Sequence, residues 1–242
     1  MQKVYLINHR GGDGVNFIIR LLAHFSSGFA DTFEKELNNQ FFCDHVFTGA
    51  DNICKKIQTN IKNGLPYDTD LVLKDLDGIL LQQMHFGITR VSKNLEQHHY
   101  NDKFLCITTE DIETQFLFAK LDAMKNKTPA EQTKYNPTRY FENKGFVSRQ
   151  FILGRLQPYQ NQYNINYNKL ILNADFDEFK KLCNFFNKEP LITQDEFTKL
   201  VTDYWKLNNR FLTDFEHLDR YYKDFKEYAE LDGDQYPVED IL

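Results

Sequence analysis

A chain of 242 residues with 29 basic and 35 acidic side chains, formal charge −6, can bury one substantial core and carries no long block of either sign. That balance lacks the footprint of a duplex nucleic-acid binder, and no apolar run approaches the roughly 18 residues of a membrane span. Cys43, Cys54, Cys106 and Cys183 are scattered without CxxC pairing, so we expect free thiols in a reducing compartment and a soluble cytoplasmic protein without a leader.

The first chemistry lies within the opening residues. Val4 to Ile7 is an apolar run suited to a parallel strand covered on both faces. Arg10, Gly11, Gly12, Asp13, Gly14, Val15 and Asn16 then form a glycine-rich loop. A helix over about 15–27 follows, with Phe17, Leu21, Leu22 and Phe25 near one face. Such a junction can aim backbone N–H groups and a helix N-terminus at one anion. Two readings stand side by side, a ligand-binding loop and a plain turn. Asp13 opposes the first if its carboxylate points inward.

Further along, the pattern predicts helices over 31–39 and 50–62, then strands near 70–73 and 78–84. The strand near 78–84 runs into His85. In parallel α/β folds the carboxyl ends of strands carry reactive groups, so His85 is a candidate base, or equally a histidine bonded at a strand edge. Phe104 to Ile107 predicts the next strand. Thr108-Thr109-Glu110-Asp111 is a capping signal for a helix over 111–125.

Residues 126–168 are polar, Asn- and Tyr-rich and broken by Pro129, Pro137 and Pro158. We expect a long excursion with one helix near 147–156, covering a site or forming an interaction surface. Arg139, Arg149 and Arg155 are its candidates for gripping an anionic group, although lone arginines are more often solvated. Leu170-Ile171-Leu172 predicts a short strand, followed by helices over 175–186, 194–212 and 214–230 and an acidic tail. About five strands alternating with helices favour a three-layer α/β/α fold with a mostly parallel sheet in one domain, 1–242. Residues 190–242 are expected as a helical C-terminal extension.

Strict nucleotide signatures fail. Gly14 is followed by Val15-Asn16 rather than Lys-Ser/Thr, and no third glycine completes a dinucleotide loop, so a kinase-like ATPase or a Rossmann dehydrogenase is disfavoured. No serine sits in a nucleophile elbow. His9 is an anion contact or a solvent-facing residue, and His98-His99 falls in a polar connection. No histidine or cysteine spacing predicts a metal site. With 22 Phe and 13 Tyr against one Trp, aromatics supply the core and raise the chance of an apolar interface.

This ordered set resembles the sulfotransferase family, in particular its small, divergent bacterial and tailed-phage members, over roughly residues 3–187. The resemblance implies that Arg10 through Asn16 cradle the 5′-phosphosulfate of 3′-phosphoadenylyl sulfate. Arg10 would stabilise the transferring group and His85 in Gln83-Met84-His85-Phe86 would act as base. The family's arginine and serine for the 3′-phosphate are absent from Thr108 to Gln115, which leaves Thr108 and Thr114 as the implied contacts. A third similarity runs from Leu170 through Phe186, like the strand, acidic connection and helix late in that family's core. The implied activity is sulfuryl transfer to a hydroxyl or amine of a small molecule or glycan. The alternative is a catalytically reduced domain used for protein interaction or self-association, in a phage particle or infected cell.

Overall fold

The computed structural model describes residues 3–9, 12–29, 78–85, 104–125, 130, 162–213 and 216–230. The helices expected over 31–39, 50–62 and 147–156, the strand near 70–73, and Arg139, Arg149 and Arg155 lie outside them.

The opening apolar run becomes strand β1, Lys3–His9. It sits inside a parallel sheet of order β2-β1-β3-β4, with β2 Ile79–His85, β3 Phe104–Thr108 and β4 Gln162–Asn166. The pairing sets a common register. Tyr5 lies opposite Leu81, Ile7 opposite Leu105, Leu105 opposite Tyr163 and Ile107 opposite Ile165. Strand side chains alternate, so these residues share one face, and all except Tyr163 are buried. Helices flank the sheet. The chain is an α/β protein built on a parallel sheet.

Helix α1, Val15–Phe25, follows β1, and helix α2, Ile112–Lys125, follows β3. Because β2 and β4 lie on opposite sides of the β1–β3 pair, the direction of strand addition reverses between β1 and β3. A crevice at the carboxyl edge is expected at such a reversal.

After β4 the structure departs from the sequence expectation. Leu170-Ile171-Leu172 is not a strand: Asn168–Leu172 forms one π-helical turn, with the Asn173 N–H bonded to the Asn168 carbonyl at 2.9 Å. Tyr167, Leu170 and Ile171 are all buried at helical spacing, three and four apart. The strand itself lies earlier, at Gln162–Asn166, inside the stretch expected as an excursion. There the alternation of Tyr163 and Ile165 with polar neighbours serves a sheet.

Helix α3, Phe176–Phe185, covers the shared face of the sheet. Phe186 packs on Tyr5 with ring centroids 5.1 Å apart, and Phe185 on Tyr163 at 5.3 Å. The Tyr163 hydroxyl donates to Glu178 at 3.0 Å, and burial beside that carboxylate pushes its pKa up. Asp175 caps the helix, accepting from the Asp177 and Glu178 N–H groups.

Helix α4, Gln194–Thr213, opens on a capping box. Thr193 Oγ1 accepts from Glu196 N–H, and Glu196 Oε2 accepts from Thr193 N–H at 2.9 Å. Its Phe197 stacks on Phe179 at 5.1 Å. A 3-10 turn, Glu216–Tyr221, leads into helix α5, Tyr222–Glu230, whose Phe225 packs edge-on against Phe116 of α2. The expected helix over 214–230 is thus two segments. Both α4 and α5 carry fully buried rings, so they belong to the core.

Candidate functional site at the carboxyl edge of the sheet

The strand-order reversal between β1 and β3 is walled by two loops, the one that leaves each strand. In the first, Gly12 (φ 84°) and Gly14 (φ 70°) both take left-handed backbone conformations, which glycine adopts without a Cβ penalty. Asp13 between them is 1% exposed, and its Oδ1 accepts the Val15 N–H at 3.2 Å. The Gly14 carbonyl accepts the Ile18 N–H at 3.0 Å and starts α1. The carboxylate therefore sits at the positive end of α1, where a bound oxyanion was expected.

The same loop is covered from outside. A Cβ at Gly14 would lie 2.6 Å from Tyr204 Oη and 3.6 Å from the Tyr167 ring. The Tyr204 ring, carried by α4, stacks on Phe17 of α1 with centroids 3.9 Å apart and planes 6° from parallel. Val15 and Asn16 are buried. So is Arg20, and Asp13, Asn16 and Arg20 each have interactions within the protein. Of the expected cradle, Gly12 to Asn16 form this closed turn; Arg10 and Gly11 lie outside the described residues.

The second wall is a network of neutral and acidic groups. The Thr108 hydroxyl donates to the Ile165 carbonyl at 3.2 Å, across to β4. Asp111 Oδ1 accepts the Thr114 N–H at 2.6 Å and so caps α2, as its sequence position predicts. Asn168 completes the network. Its Nδ2 donates to Asp111 Oδ2 at 2.7 Å and to Thr114 Oγ1 at 2.8 Å, while its Oδ1 accepts the Glu110 N–H at 3.0 Å.

Asn166 donates to Glu110 Oε1 at 2.7 Å and accepts the Lys169 N–H at 3.0 Å. Thr108 and Thr114, the implied phosphate contacts, are both engaged in holding β3, α2 and β4 together. Their surroundings carry Glu110 and Asp111, which repel an oxyanion. At the outer side of α2, Tyr222 donates to Glu113 at 2.6 Å and holds that carboxyl below its ordinary pKa.

His85 is the last residue of β2. Its register partner across the parallel pair is His9, the last residue of β1. The strand ends thus bring two histidines to neighbouring register positions, His9 where β1 enters the first loop and His85 one strand away. The sequence pointed to each histidine separately and gave no sign that they pair.

Asn166, Asn168 and Tyr204 were also missed. The asparagines stood in an Asn-rich passage that offered no local distinction. Tyr204 carried only a core-spacing signal, and its contact with Gly14 is not local in sequence. Among the described residues, no group of three or more His, Cys, Asp or Glu gathers as a metal site, and no helix is long and apolar enough to cross a membrane. Set against known proteins, the chain matches no family model and no curated protein.

Proposed function

We propose that this chain is a sulfotransferase-like α/β scaffold whose donor cradle has been closed by its own residues, and that it works by binding a protein partner or a second copy of itself. The observation that carries this reading is the Asp13 carboxylate on the Val15 amide, roofed by Tyr204. A helix N-terminus that already holds a buried anion gains little from a second, and two like charges in one low-dielectric turn repel strongly. The commitment of Thr108 and Thr114 to internal hydrogen bonds supports the same conclusion. The parallel sheet of order β2-β1-β3-β4, with a helix following β1 and another following β3, supports reading the scaffold as the three-layer plan that the resemblance implies. The setting we propose is a phage particle or an infected cell.

The test is calorimetry of the full chain with 3′-phosphoadenosine 5′-phosphate. No saturable heat is the expected result. Saturable binding that Arg10→Ala abolishes would overturn the reading. Sedimentation across a concentration series then separates self-association from capture of a different partner.

A second reading is favoured by one observation, the meeting of His85, the β1–α1 loop and the strand-order reversal along a single edge. In it the chain transfers a sulfuryl group from 3′-phosphoadenylyl sulfate to a hydroxyl or amine acceptor. His85 removes the acceptor proton, and Arg10 with the loop amides stabilises the transferring group. The donor must then displace Asp13 from Val15, so Asp13→Gly should tighten nucleotide binding. Under the first reading that variant binds no nucleotide.

A further inference from the structure

We draw no further inference here: the strongest candidate, the fully buried side-chain amide of Gln115 in the first turn of α2, has no hydrogen-bond partner at either polar atom, but the helix end it sits on is already capped by Asp111 and nothing among the described residues shows which group the amide faces.

Discussion

Gly14 joins two constraints at a single residue. Its backbone is left-handed, and Tyr204 occupies the space that a side chain would need. Gly14→Ala should cost about 1–2 kcal/mol for the conformation and a further ~1–3 kcal/mol for overpacking. Urea titration would measure the sum, and in a Tyr204→Phe background the same substitution should cost less, because the nearest clashing atom is gone. Asn168 is the second informative residue. Asn168→Ala leaves the Glu110 N–H, one oxygen of Asp111 and the Thr114 hydroxyl short of a partner, and should cost ~2–3 kcal/mol, read as a lower thermal midpoint. Sequence reasoning found the glycines as a geometric requirement and saw that Asp13 could oppose an anion. It could not say which neighbour fills the turn, because that neighbour lies on a helix near the other end of the chain.

Among the elements, the most legible were those with local signals. α1, α2, α3 and α4 stand within two residues of their expected bounds, since caps such as Asp175 and the Thr193–Glu196 box are written in a few consecutive residues. The segment 162–172 was misread. Gln-Tyr-Asn-Ile-Asn carries a two-residue alternation, but its polar half is asparagine, a residue depleted in strands, whereas Leu-Ile-Leu imitates a buried strand while forming a turn.

The caps also fix a pH dependence. Glu196 is held below its ordinary value by the Thr193 N–H and hydroxyl, Glu113 by the Tyr222 hydroxyl and Asp177 by Lys180. A carboxyl with a depressed folded-state pKa contributes stability above its unfolded value, and the contribution is lost as pH falls through the folded one. Thermal midpoints should therefore drop on going from about pH 6 to about pH 3. Thr193→Ala combined with Tyr222→Phe should flatten that drop, and an unchanged acid slope would contradict the assignment.

For the whole molecule, the aromatic richness noted in the sequence resolves into a continuous core that ties the sheet to the C-terminal helices. Phe176, Phe179 and Phe197 cluster where α3 meets α4, and Phe116, Tyr222 and Phe225 cluster where α2 meets α5. Phe197→Ala should cost ~3–5 kcal/mol by urea titration, the range for removing a fully buried ring. The general α/β plan was visible from alternating elements. The integration of α4 was not, because its apolar stripe says only that it must be covered and not by what. Its stacking of Tyr204 on Phe17 has a further consequence for biosynthesis. Helix α1 meets this partner only after the stretch from Phe17 to Tyr204 has been synthesised, an interval of roughly ten to forty seconds at ~5–20 residues per second. Until then Phe17 and its neighbours are sticky, so a nascent chain of this protein should be a client of the chaperones that wait at the exit tunnel.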